Sequence, residues 1–264
     1  MALTFCSLAS GSSGNCYLVK SEKAAILVDA GISGSRIFQC LKHIQTEPSE
    51  INALLITHEH QDHVRSLQTV NRRIKAIRTY ANSKTWKFID SLVDESKRAV
   101  FETGKKFFIN DIGVMPFLLS HDAAEPVGYS FYLDGKQISI LTDSGCVSED
   151  IYDEIKDADL LILEANHDVE MLRMGRYPFF LKQRILGSKG HLSNVDAANA
   201  VNRILSEKKK ERRVLLAHLS QENNFPEMAY LTVKNLLGEK ALNIGKSVHI
   251  DIISRDEMSE VYTL

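Results

Sequence analysis

The sequence is short of several things, and each shortage removes a class of protein. No apolar run approaches the roughly 18 consecutive residues of a membrane span, and Met1 to Ser10 lack the basic start and long apolar core of a secretory leader. A soluble, cytoplasmic chain with no membrane partner is expected. Only four cysteines occur (Cys6, Cys16, Cys40 and Cys146), and no two form a C-x-x-C pair. That scatter argues against a disulfide framework or a thiolate zinc site and predicts buried, reduced thiols. Proline is scarce at five residues, and no low-complexity linker or fixed-period repeat interrupts the chain. With 264 residues, 44% of them hydrophobic, the chain can bury a sizeable core, and residues 1–264 are expected to form one domain.

Acid is missing from two stretches, although the formal net charge is −2. Seven Lys or Arg stand between His63 and Ile89 without an Asp or Glu. Residues 171–191, "MLRMGRYPFFLKQRILGSKGH", carry Arg173, Arg176, Lys182, Arg184 and Lys189 interleaved with Tyr177, Phe179 and Phe180. Acids concentrate elsewhere, as in "SEDIYDEIKDAD". Each basic run alone is more often a solvated helix face; together they tilt the odds toward an anionic partner.

Short apolar runs alternate with helical patterns along the chain. Strands are expected at Thr4–Leu8, Cys16–Lys20, Ala24–Asp29, Ala53–Thr57, Phe107–Ile109, Val114–Leu119, Tyr129–Leu133, Ile138–Thr142, Leu160–Leu163, Val214–Ala217 and Val248–Ile252. A helix is expected from about Ser35, and Val64, Leu67, Val70 and Ile74 recur at helical spacing. Early hairpins followed by strand–helix units predict an α/β sandwich, with two packed sheets and helices outside.

What the sequence has in abundance is metal-ligand chemistry in one place. "LLITHEHQDH" puts His58, His60, Asp62 and His63 directly after an apolar strand. His58 and His60 are two positions apart, so in an extended loop they point to one side and can close on one ion. Asp62 and His63, being adjacent, suit a second ion beside the first. Further ligands are expected at strand ends, where His121 follows "VMPFLLS", Asp143 follows "ISILT" and His218 follows "RVLLA". Imidazole and carboxylate donors without thiolate suit zinc, manganese or iron. Any one of these histidines alone reads equally well as a hydrogen-bonded core residue; the set does not.

These motifs resemble those of the metallo-β-lactamase superfamily. "THEHQDH" matches H-x-H-x-D-H, and "LVDAG" (Asp29), His121, "TDSG" (Asp143) and "AHLS" (His218) resemble its remaining motifs in order. The resemblance implies an αββα sandwich of two mixed sheets flanked by helices, and two divalent ions. It places His58, His60 and His121 at the first ion and Asp62, His63 and His218 at the second, with Asp143 bridging. Asp62 then belongs to the catalytic set as well, and Asp29 supports a ligand histidine from behind. "SLASGSSGNCYLV", "LEANHD", "YPFFLKQRILGSKGHLSN" and "LLAHLSQENN" resemble the YycJ/WalJ branch, similar to tRNase Z and RNase J. That branch implies a nuclease, 5′-to-3′ exonucleolytic on DNA in preference to RNA. A small-molecule hydrolase acting on a thioester or a lactam is the alternative on the same site.

Phosphodiester cleavage needs a nucleophile and a shielded phosphorus, and two ions supply both by holding a hydroxide and binding phosphate oxygens. The leaving alkoxide needs a proton. His191 in "GHLSN" and Glu164 after "DLLIL" are the available acid pair, and they resemble the nuclease branch's acid–histidine motifs. His191 reads otherwise as the lead-in to Ser193, which can cap the following helix. Ser12, Ser13 and Asn15 lie in a glycine-bracketed turn able to cradle a phosphate, and an ordinary hairpin turn explains the same composition. Arg176 and Arg184 are the basic residues expected to reach substrate phosphates. His43, His167, His249 and Trp86 receive no functional role.

Overall fold

A computed structural model describes residues 2–207, 210–238 and 248–264 as two mixed sheets packed face to face, with helices outside. The first sheet is built by β1 (Thr4–Ala9), β2 (Cys16–Lys20), β3 (Ala25–Val28), β4 (Ile51–Leu55), β5 (Arg78–Asn82) and β6 (Arg98–Phe101). The second contains β7 (Phe107–Ile109), β8 (Ile112–Leu118), β9 (Val127–Leu133), β10 (Lys136–Leu141), β11 (Leu160–Glu164), β12 (Arg212–Ala217) and β13 (Val248–Ile252). A last strand, β14 (Tyr262–Thr263), returns to pair with β1. The described helices are α1 (Gly34–His43), α2 (Gln61–Val64), α3 (Leu67–Arg73), α4 (Ser83–Ile89), α5 (Glu149–Ile155), α6 (Val169–Met174), α7 (Phe179–Leu186), α8 (Asn194–Glu207) and α9 (Pro226–Leu237).

The strands are apolar on both faces because both faces are covered. Successive residues of a strand point to opposite sides. Phe5, Tyr17, Val19, Ile26 and Val28 therefore meet Tyr129, Phe131, Ile140 and Ile162 between the sheets. Cys6, Leu18 and Leu27 face outward onto Ile37, Leu41, Leu67 and Val70 of α1 and α3. On the other side Leu161, Leu163, Val214 and Leu216 pack under Ala197, Val201, Ala229 and Val233 of α8 and α9. The result is the expected αββα order of layers.

Chain direction decides where the site forms. Strands β3 to β6 run parallel, as do β10 to β13, and β8 runs antiparallel to β9, which in turn runs antiparallel to β10. The C-terminal ends of β3, β4, β8, β10, β11 and β12 thus share one edge of the sandwich. Asp29, Asp143 and His218, each just past such an end, hold left-handed backbone with φ of 60°, 63° and 55°. L-residues adopt that conformation at a cost, and here it turns the side chains off the strand direction into the site.

Three expectations need correction. β5, β6 and β14 were not legible: "RTYAN" and "RAVF" mix polar with apolar positions, and β14 is two residues long. The single helix expected across Val64 to Ile74 is two, broken where the Ser66 amide donates to the Ala30 carbonyl at 2.8 Å. Cys6, Cys16 and Cys40 are buried and reduced as expected, but Cys146 is half-exposed.

Candidate metal centre

The predicted ligands come together at the common edge as two linked groups. His58, His60 and His121 offer donor atoms within 4.8 Å of one another, and so do Asp62, His63 and His218. A third set within the same limit joins His58, His63 and Asp143, which places Asp143 against both groups as a bridging ligand must be.

The first group is held by neutral partners. The Thr57 hydroxyl donates to Asp29 Oδ2 at 2.8 Å, so at 3.0 Å it accepts from His58 Nδ1 and leaves His58 Nε2 as the lone-pair nitrogen. His121 Nδ1 donates to the Gly190 carbonyl at 3.0 Å, which leaves its Nε2 free in the same way. His58 Nε2 faces His60 Nδ1 at 3.1 Å. Burial holds His58 well below its ordinary pKa, helped by the neighbouring histidines, and lowers His121 despite Asp143. These rings are neutral donors at neutral pH.

Carboxylates hold the second group. His63 Nδ1 donates to Asp29 Oδ2 at 2.7 Å, and Asp29 Oδ1 accepts the Thr57 amide at 2.9 Å. His218 Nδ1 donates to Glu164 Oε1 at 2.7 Å. Burial disfavours charge on both rings, but Asp29 and Asp143 outweigh it and hold His63 well above its ordinary value. Asp143 and Glu164 likewise raise His218 to about 9.

The residues present fit divalent cations. Asp143 Oδ2 and His218 Nε2 are buried and make no hydrogen bond among the described residues. Buried polar atoms are nearly always paired, so orphans turned toward other donors mark the place of an ion. The seven residues of the set offer nitrogen and oxygen donors and no sulfur, which suits zinc, manganese or iron.

His191 stands beside this set. Its Nδ1 donates at 2.8 Å to Glu164 Oε1, the same oxygen that holds His218. Glu164 is fully buried, and its other oxygen accepts the amides of Ser144 at 3.0 Å and Leu192 at 3.1 Å. Burial opposes its charge, but His191 and His218 hold it down at about 2. Glu164 in turn lifts His191 above its ordinary value against burial, which favours the charged ring. The helix-capping reading of this stretch holds too: the Asp196 amide bonds the Ser193 hydroxyl at 3.1 Å.

The residues expected to bind phosphate are placed less simply. Ser12 is exposed and lines a cavity of about 160 Å³ with His121, Tyr177, Arg184 and His191; Ser13 is exposed outside that lining. Asn15 is fully buried: its Oδ1 accepts the Gly11 amide at 3.0 Å and its Nδ2 lies 3.1 Å from His63 Nε2. Its amide braces the turn against the ligand cluster and faces no open cleft. Arg184 at the cavity wall is tied to Asp122, which itself lies 3.3 Å from His121 Nε2. Arg176 is exposed and has no ion pair or hydrogen bond among the described residues.

Two glycines set the spacing of the site. A Cβ on Gly31 would lie 1.6 Å from the Asp62 carbonyl oxygen, so only glycine lets the Asp29 loop reach the start of α2. A Cβ on Gly190 would lie 2.1 Å from the Ile185 carbonyl oxygen, against the end of α7, and Gly190 also carries the carbonyl that orients His121. Sequence reasoning missed Gly190, the hub role of Thr57 and the double duty of Glu164. Thr57 had a local signal, a hydroxyl next to the first ligand; the other two had none.

Comparison with known proteins agrees with this geometry. Residues 24–219 match the family model described as a beta-lactamase superfamily domain. The chain is 43% identical over 243 residues to the exodeoxyribonuclease WalJ of Streptococcus pneumoniae, covering 90% of this chain and 89% of that protein. It is 39% identical over 253 residues to the exodeoxyribonuclease YycJ of Bacillus anthracis, covering 95% of each. In fold it is similar to the metallo-beta-lactamase fold protein YhfI of Bacillus subtilis, with a TM-score of 0.73 at 14% identity over 98% of this chain and 99% of that one. Human tRNase Z, short form, gives a TM-score of 0.64 at 18% identity over 97% and 98% of the two chains. With its ligand set and its sandwich in place, the chain belongs to the metallo-β-lactamase superfamily, in the YycJ/WalJ-like group.

Proposed function

We propose that this chain is a metal-dependent exodeoxyribonuclease that hydrolyses DNA phosphodiester bonds at the edge where His58 to His63 meet Asp143 and His218. The observation that carries this reading is the shared carboxylate oxygen of Glu164, which holds His218 and His191 in one rigid unit. A fixed proton donor beside the metal ligands is what a poor alkoxide leaving group requires. The names of the relatives, both exodeoxyribonucleases, support DNA as the substrate.

His58, His60 and His121 would hold one ion, and Asp62, His63 and His218 a second, with Asp143 shared. Zinc or manganese is the expected metal, with iron also compatible with the donors. When bound, such ions lower the pKa of water and neutralise phosphate charge. The protein does the rest. Thr57, Gly190, Asp29 and Glu164 fix the ligand rings in the tautomer each needs. His191 has Nδ1 committed to Glu164, so its Nε2 proton is the one available to the departing 3′ oxygen. Glu164 stabilises the charged ring before transfer, and the ring takes its Nε2 proton back from solvent afterwards. A 5′-to-3′ direction is what the resemblance to the YycJ/WalJ branch implies.

The test is direct. Protein loaded with manganese or zinc is given end-labelled single- and double-stranded DNA and RNA, a thioester and a lactam. Progressive loss of nucleotides from DNA 5′ ends is expected. Thioester or lactam turnover with intact DNA would replace this reading by the small-molecule one.

A further inference from the structure

Helix α7 has two faces with different surroundings. Through Leu181, Arg184 and Ile185 it lines the catalytic cavity with His121 and His191. Through Phe179, Lys182, Gln183 and Leu186 it joins Arg173 of α6 around a separate groove of about 410 Å³. The helix is thus a ridge with the reacting centre on one side and a second groove on the other.

The crest of that ridge is aromatic and unpaired. Phe179 and Phe180 are 77% and 73% exposed, and among the described residues neither ring contacts another aromatic ring. No residue of α7 is fully buried, although five of the eight positions in "FFLKQRIL" are apolar. Residues 171–191 contain no acid, although Glu170 pairs with Arg173 and Asp122 with Arg184. Lys182 Nζ donates to the Arg173 carbonyl at 2.7 Å, whereas the Arg173 guanidinium pairs with Glu170 at 2.8 Å, so Lys182 supplies the positive charge of the outer groove.

Exposed rings beside an acid-free row of Lys and Arg match one polymer in both respects, a nucleic-acid strand with unstacked bases. Inside a duplex the base faces are covered by their neighbours, so the rings can meet a base only where the strands have parted. We propose that the α6–α7 ridge divides the two strands of a DNA end: an unpaired base stacks on Phe179 or Phe180, and the phosphates of that strand follow Lys182 into the outer groove. The other strand then enters the catalytic cavity on the inner face. This inference rests on the nuclease reading and adds how the substrate is opened.

The experiment uses full-length, metal-loaded protein and a phosphorothioate oligonucleotide that resists cleavage and carries 2-aminopurine near its 5′ end. Wild-type protein is expected to change the 2-aminopurine emission on binding single-stranded and frayed-end DNA. Phe179→Leu with Phe180→Leu, which keeps the apolar bulk and removes the π face, should weaken binding about tenfold for each stacked base and abolish the emission change. Phe179→Tyr with Phe180→Tyr should restore both, and an unchanged thermal midpoint and metal content would exclude misfolding. Wild-type affinity and emission change in the leucine variant would overturn the ridge. So would binding to anionic phospholipid vesicles that the leucine variant loses while its DNA affinity stays intact. Cleavage of DNA by the wild type alongside either result would leave the nuclease reading standing. Absence of DNA cleavage together with thioester turnover would remove both.

Discussion

The two halves of the metal centre are built from the same side chain and behaved differently by their backing. His58 and His121 lean on a hydroxyl and a backbone carbonyl, and burial keeps them neutral. His63 and His218 lean on buried carboxylates, and those carboxylates keep them protonated until something displaces the proton. A histidine's readiness to bind an ion is therefore decided by the atom behind it. One half is ready at neutral pH; the other exchanges protons for metal.

The largest expected effect comes from removing the residue that joins the halves. Asp143→Ala should lose the ion of the carboxylate-backed half and nearly all DNA turnover, because charge neutralisation of the phosphate depends on the pair. Elemental analysis beside the rate checks it, and two retained ions with normal activity would sink the bridging assignment.

His191 tests whether the second carboxylate serves chemistry as well as binding. His191→Ala should lower the single-turnover rate about 10²–10⁴-fold while metal content and DNA affinity stay close to wild type. Loss of an ion in that variant would make His191 a ligand. Asp29→Asn is the matched change behind His63; it should weaken metal at that half about 10–100-fold and the His58 half by less, since Asp29 reaches His58 only through the Thr57 hydroxyl. Equal weakening of both halves would erase the comparison.

Acidity sharpens the contrast. In the metal-free protein His218 stays protonated at pH below about 9, whereas His58 and His121 are already deprotonated at neutral pH. Metal affinity of the carboxylate-backed half should then fall as pH falls, and the ion that enters it should release more protons than the ion entering the other half. Calorimetric titrations in buffers of different ionisation enthalpy measure that release. Equal release for both ions would show that backing does not set protonation.

The smallest effect concerns the rim, where the same question of paired against unpaired charge returns. Arg184 is committed to Asp122, while Arg176 is exposed. Arg176→Gln should shallow the slope of log affinity against log salt by roughly 0.9 on duplex DNA, and Arg184→Gln by less. Equal changes would mean that DNA takes Arg184 away from its partner.

Much of this centre was legible before any coordinates. His58, His60, Asp62 and His63 share six positions after an apolar strand, and His121, Asp143 and His218 each follow such a strand, so parallel chain direction alone carries them to one edge. The pairing of His191 with Glu164 was expected from the resemblance to the nuclease branch's acid–histidine motifs, while the contact itself is a tertiary one. Asn15 holds Gly11 and His63 and Arg184 holds Asp122, partners that polarity in a turn, or charge on a basic helix, does not reveal. The short strands β5, β6 and β14 escaped because edge and two-residue strands need little apolar patterning.

Strand periodicity and ligand spacing by themselves determined the sandwich and the candidate ligands at its strand ends, because each is a property of order along the chain; their division into two sets came from the family resemblance. Only the tertiary structure decided which atom stands behind each ring. Glu164 reaches His191 from 27 positions away and His218 from 54, Gly190 reaches His121 from 69, and Arg184 meets Asp122 from 62. Protonation follows from such contacts through burial and Coulomb attraction, which act over ångströms in space and leave no mark at any fixed spacing in sequence.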